Sequence, residues 1–160
     1  MRKKHQSTIL VVTVCLLLFA LPLAFASEEK LPTSKGQTVY VPAYSHIYHG
    51  NRESPLLLTV TISIRNISPT RSLTVTAVDY YATQGGVLKK FVSTPLVLKP
   101  LTAERFVVPQ NDDTGGSGAN FIVKWHAAEL LSPPIIESIM IGSQNQLGIS
   151  FTSRGQAITQ

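Results

Sequence analysis

The chain has 160 residues, with 14 basic and 9 acidic side chains and a single cysteine, Cys15. Arg2, Lys3 and Lys4 all precede the first apolar run, so beyond residue 26 there are 11 basic against 9 acidic residues, a net charge of +2. That balance does not favour nucleic acid as a partner. The absence of any later cysteine excludes a disulfide framework, a thiolate metal centre, an iron–sulfur cluster, a Cys nucleophile and a blue-copper site.

The first element is a leader. A basic head precedes the apolar run Ile9–Phe19. Leu21-Pro22-Leu23 breaks the helix, and Ala24-Phe25-Ala26 places small residues where a signal peptidase reads. This pattern predicts a signal peptide over residues 1–26, cleaved after Ala26, and an exported protein, periplasmic or extracellular, with no membrane span after cleavage. Cys15 follows Val14 rather than a small residue and lies inside the apolar region, so it is an ordinary leader residue and not a lipid attachment site. Residues 27–36 read as a polar linker, 37–155 as one domain and 156–160 as a tail. The remaining length is enough for one core.

From here the period is two. Leu58, Val60, Ile62 and Ile64 alternate with Thr59, Thr61, Ser63 and Arg65, which gives a strand with one face in a core and one toward water. Asn66–Thr70 is a turn. Leu73, Val75 and Ala77 alternate with Thr74 and Thr76 and predict a second strand. Gln84-Gly85-Gly86 is a hairpin turn into Val87–Val92. Leu96–Leu98, closed by Pro100, and Arg105–Val108, closed by Pro109, are short strands. Phe121, Val123 and Trp125 alternate with Ile122, Lys124 and His126. Ile135–Ile141 and Gly148–Thr152 complete the set. The helical period is absent, save for a single turn that Trp125–Leu131 could form. In-phase apolar positions place Val60, Ile62, Ile64, Val75, Phe106, Val123, Trp125, Ile139, Ile141 and Phe151 in one core. The pattern predicts an all-β fold, a single antiparallel β-sandwich with immunoglobulin-like Greek-key connections, with a small open β-barrel as the alternative.

Four runs carry a resemblance: Gly115–Trp125 (GGSGANFIVKW), Val39–Gly50 (VYVPAYSHIYHG), Val78–Tyr81 (VDYY) and Gly148–Gly155 (GISFTSRG). Through them the chain resembles an uncharacterised bacterial family catalogued as domain of unknown function 3124, over roughly Gly36 to Gly155. The resemblance implies a bacterial exported protein and no activity.

Three sets of residues are candidates for a site. The first is the loop of Asp112, Asp113, Gly115, Gly116, Ser117, Gly118 and Asn120. Glycines free a backbone to present its amides to a ligand. The phosphate-loop Lys-Ser/Thr, the dinucleotide G-x-G-x-x-G and the calcium D-x-D-x-D-G spacings are missing. Ser117 lacks the flanking pattern of a nucleophile elbow. The competing reading is a tight loop whose glycines answer to backbone geometry. The second set is His46, His49 and His126, a three-imidazole metal set if the fold joins them, since positions three apart on a regular strand face opposite ways. Asp79 is in phase with Leu73, Val75 and Ala77, and an inward acid needs a partner such as Arg154, Arg65 or Arg105 unless a bulge before Tyr80 returns it to solvent. Asp79 and Arg154 are therefore grouped with the loop as ligand-binding candidates. No cofactor is indicated. The expected role is a non-catalytic module that binds a protein or an envelope component. The alternative is a metal- or small-ligand-binding protein or a hydrolase built on these same residues.

Overall fold

The computed structural model describes residues 32–159, with 52, 145 and 146 excepted. The predicted leader, Cys15 and most of the predicted linker lie outside the described residues. Twelve strands follow in order: β1 (Ser34–Pro42), β2 (His46–His49), β3 (Ser54–Leu57), β4 (Thr59–Arg65), β5 (Leu73–Tyr81), β6 (Val87–Lys90), β7 (Leu96–Leu98), β8 (Ala103–Val108), β9 (Asn120–Leu131), β10 (Ile135–Gln144), β11 (Leu147–Arg154) and β12 (Gln156–Ile158). Among the described residues there is no helix, and Trp125–Leu131 continues β9 instead of forming a helical turn. None of them therefore forms a helix long and apolar enough to cross a membrane.

All pairings are antiparallel. The first sheet runs β12-β1-β9-β5, with β6 and β7 end to end along the far edge of β5. The second runs β11-β10-β4-β8, and β2 pairs with β3 as a separate hairpin. The two main sheets do not close into a barrel, so the fold is the sandwich. Its adjacency is informative. An immunoglobulin sandwich packs strands A-B-E against C-F-G. Here β10-β4-β8 and β5-β9-β1 fill those places, with β10 standing for the first strand and β1 for the last. Strand β1 begins at Ser34, within the expected linker, and β12, within the expected tail, caps the first sheet.

The core lies between the sheets. Val39 and Val41 of β1, Phe121, Val123 and Trp125 of β9, and Val75, Val78 and Tyr80 of β5 face Val60, Ile62 and Ile64 of β4 and Met140 of β10. Phe106 and Phe151 pack against this core from its margin. The rings of Tyr80, Phe121, Phe91 and Phe106 form a chain with centroid separations of 4.9, 6.1 and 5.4 Å that bridges the two sheets beside β8. Ile139 and Ile141 do not belong to the core as expected. Ile136, Ser138, Met140 and Gly142 are the inward positions of β10, and Ile141 is 52% exposed. Asn66 closes the turn after β4. Its buried amide nitrogen donates to the carbonyls of Arg71, Leu98 and Lys99 at 2.8, 3.1 and 3.0 Å, and its oxygen accepts from the Ser68 amide at 3.0 Å.

Candidate functional site

The glycine-rich loop is folded onto the chain's own side chains. Thr83 donates to the Gly115 carbonyl through both its amide and its hydroxyl, each at 2.9 Å, and the Gly118 amide donates back to that hydroxyl at 2.9 Å. On the other flank the Ser45 amide donates to the Gly116 carbonyl at 3.1 Å, and the Ser45 hydroxyl lies 3.1 Å from the carbonyl oxygens of Asp113 and Gly116. Each glycine has a reason within this packing. A Cβ on Gly115 would lie 1.9 Å from the Tyr80 hydroxyl oxygen. One on Gly116, whose φ is +78°, would lie 2.5 Å from the Thr83 hydroxyl oxygen, and one on Gly118 would lie 3.0 Å from the Thr83 methyl. The close approach is made by Tyr80 and Thr83.

The polar side chains of the loop are largely turned to local work. The Asp112 carboxylate accepts from the amide and the hydroxyl of Thr114. Asp113 is exposed, and Asn120 opens β9 opposite Pro42 and Tyr81. Ser117 is half-buried. The Tyr80 hydroxyl is buried without a hydrogen-bond partner. Burial first, and then the Asp112 carboxylate, push this phenol up to about 12, and the Ser45 hydroxyl acts weakly in the other direction.

The imidazoles do not assemble. His46 and His49 sit on the β2–β3 hairpin, where the His46 Nε2 lies 3.3 Å from the Tyr48 hydroxyl. His126 is on the outer face of β9, opposite Gly36 and Thr74. Among the described residues no three His, Cys, Asp or Glu side chains come together as a metal site. Asp79 is not on the core face either. The β5–β9 register shifts between Val75 and Ala77, which leaves Thr76 as an extra residue. Val78 and Tyr80 therefore turn inward and Asp79 turns outward, opposite Ile122 and Lys90. This is a bulge before Tyr80 of the kind expected, placed at Thr76. Arg154 is on β11 opposite Glu137, on the other sheet, and does not meet Asp79. Arg65 pairs with Glu137 at 3.8 Å.

A different feature draws residues together. Both neighbours of β9 lose register close to His126. On one side Ser34 pairs with Leu131 but Gly36 pairs with His126. On the other, Thr76 bulges out where Val75 meets Trp125. Gly36 permits the first break, because a Cβ there would lie 2.9 Å from the Trp125 carbonyl oxygen. Beside these breaks lies an open groove of about 560 Å³ across β12, β1, β9 and β5. Gln37, Thr38, Thr76, Lys124, His126 and Ile158 line it, and no lining residue is acidic. A second cleft of about 540 Å³, more apolar, lies beside Pro133, Pro134, Ile136 and Arg154.

The family model described as Protein of unknown function (DUF3124) matches residues 36–158, from the Gly36 break through β12. The chain belongs to this family. No curated protein matches it. Among solved structures it is similar to the crystal structure of Thermotoga maritima 1070, at 8% identity and a TM-score of 0.45, over 75% of this chain and 92% of that one.

What unites the family match and the geometry is that the matched segment contains every wall of the groove through Ile158. Of those walls, sequence reading had singled out only His126. Lys124 reads as an ordinary outward position and Thr76 as part of a regular strand. The run Thr74-Val75-Thr76-Ala77-Val78 was the available signal, since it places two apolar residues side by side in an alternating strand.

Proposed function

We propose that this chain is an exported, non-catalytic binding module that holds an envelope component in the groove on the outer face of its first sheet. The observation that carries this reading is the loss of register on either side of β9, beside which the open groove lies. Bulges recur where a sheet is reshaped beside a site. The basic head, apolar run and Ala-Phe-Ala segment of residues 1–26 support export. The glycine-rich loop, packed on Tyr80 and hydrogen-bonded to Thr83 and Ser45, supports architecture there instead of recognition.

The test uses the mature protein from Ser27, tagged at its C-terminus and incubated with an envelope fraction. Parent protein retains a component that a Thr38→Trp variant, its groove filled from the outer face, does not. Equal retention by both refutes the groove as the docking place. N-terminal sequencing of the exported form should begin at Ser27, and recovery of intact Met1 in a membrane fraction would refute cleavage.

A further inference from the structure

Resting on the groove reading above, we infer that the bound component is an acidic polysaccharide, a chain of carboxylate-bearing sugars. Three properties of the groove lead there. The first is charge. Lys124 and His126 are exposed on its floor, two positions apart on the same face of β9, and no acid lines the groove. Lys124 has no ion-pair partner among the described residues. On the same face Asp79 stands opposite Lys90 on the adjacent strand. A carboxylate entering the groove therefore meets uncompensated positive charge and no repulsion from its lining.

The second property is shape. The groove is crossed by four adjacent strands, and three inter-strand gaps of about 4.8 Å make it roughly 14 Å wide. It is open to solvent along its length. A trough of that span fits a run of linked rings, whereas a lone small anion would touch only one end. The third is the lining chemistry. Thr38, Thr76 and Thr159 offer hydroxyls, groups that both donate and accept as sugar hydroxyls require. Further along the same face of β1, one pleat beyond Thr38, the Tyr40 ring is 37% exposed and stands beside Ile122. An exposed aromatic ring next to a polar trough presents an apolar surface for the hydrocarbon face of a sugar.

The experiment titrates polygalacturonate oligomers into the full mature protein by calorimetry, with dextran as the neutral chain and inorganic phosphate as the small anion. Saturable binding of polygalacturonate alone is expected. It should weaken roughly tenfold in Lys124→Gln, since a hydrogen bond to a charged group is worth at least that ratio. It should weaken further between low and physiological salt. Thr38→Trp should abolish it. The folding of both variants is checked by thermal unfolding, and because both sites are on the outer face the midpoints should match that of the parent. Equal binding of dextran, binding of phosphate without the polymer, or an unchanged affinity in Lys124→Gln each overturns the inference. If polygalacturonate fails to bind while Thr38→Trp still loses the envelope component, the groove remains the docking place and only the acidic-polysaccharide assignment falls.

Discussion

At the scale of single residues, Gly115 and Tyr80 form the tightest coupling in the loop region. Gly115 is buried, and its φ is unremarkable; what it lacks is space, with the Tyr80 hydroxyl oxygen 1.9 Å from where a Cβ would be. Gly115→Ala should therefore destabilise by overpacking, by roughly 1–3 kcal/mol. In a Tyr80→Phe background the cost should be smaller, a coupling that a double-mutant cycle in urea measures directly. Tyr80→Phe also carries a pH signature. A phenol is neutral when protonated, and the folded value near 12 lies above the unfolded value of about 10. The folded state thus holds this proton more tightly. The contribution to stability is complete below about pH 10 and is lost as pH rises from 10 toward 12. Over that window the parent should lose stability faster than Tyr80→Phe, and parallel curves would show that this hydroxyl is not the group responsible.

Among the elements, β5 shows where alternation succeeds and where it misleads. Strand β4 is legible because one phase is apolar and the other polar without exception, and the first half of β9 because only Ile122 breaks that rule. In β5 the extra residue is Thr76, the same type as the outward Thr74, so the sequence reads as a regular strand that continues to Asp79 on the wrong face. In β10 the inward phase includes Ser138 and Gly142, whereas the outward phase carries Ile139 and Ile141. Hydrophobicity therefore points to the wrong side. The inward Ser138 is held by donating to the Pro42 carbonyl, and a Cβ on Gly142 would lie 2.7 Å from Leu58 Cδ2. Neither partner is visible from local sequence. The candidate loop was legible as a glycine excess, but its cause is Thr83 and Tyr80, more than thirty residues away. The groove was not legible, because a loss of register is a property of strand pairs. Deletion of Thr76 tests this account. With it removed, Leu73, Val75, Val78 and Tyr80 fall on one face of a regular strand and Thr74, Ala77 and Asp79 on the other. The deletion variant should retain a β-type far-UV spectrum and cooperative unfolding while losing the groove and whatever it binds. Global unfolding would show that the bulge is required by the core. The β10 phase is tested by contrast: Ile62→Ala should cost about 2–5 kcal/mol as a fully buried truncation, and Ile141→Ala less than about 0.5 kcal/mol.

For the whole molecule, the exchanged end strands decide how the chain must fold. Strand β1 completes the first sheet only by pairing with β9, with Val39 opposite Val123, and β10 completes the second by pairing with β4, with Ser138 opposite Ile62. Each of these pairs closes a loop of more than seventy residues before any contact is gained. The crossing from β11 to β12 at Gly155 adds a tie between the sheets: its amide donates to the Ile136 carbonyl at 2.8 Å, and a Cβ there would lie 2.7 Å from Val39 Cγ1. No contiguous piece contains a complete pair of sheets. Non-local pairing of this kind places folding in the millisecond-to-second range, and stopped-flow refolding should fall there. It also predicts that a chain ending after Leu131 does not fold. Such a chain keeps β1, β4, β5, β8 and β9 but leaves the β4 edge facing solvent where β10 had paired, and it takes the buried Ile136 and Met140 out of the core. Burial of side chains of this size is worth roughly 1.5–3 kcal/mol each, and with the opened edge the loss is comparable to the entire stability of a domain this size. The truncated chain should show no cooperative thermal transition and no dispersed amide spectrum. Adding residues 132–160 as a separate peptide should restore both in proportion to its concentration, as strand complementation requires. A truncated chain that unfolds cooperatively by itself would mean that β10 to β12 are an appendage to a core that β1 to β9 already complete.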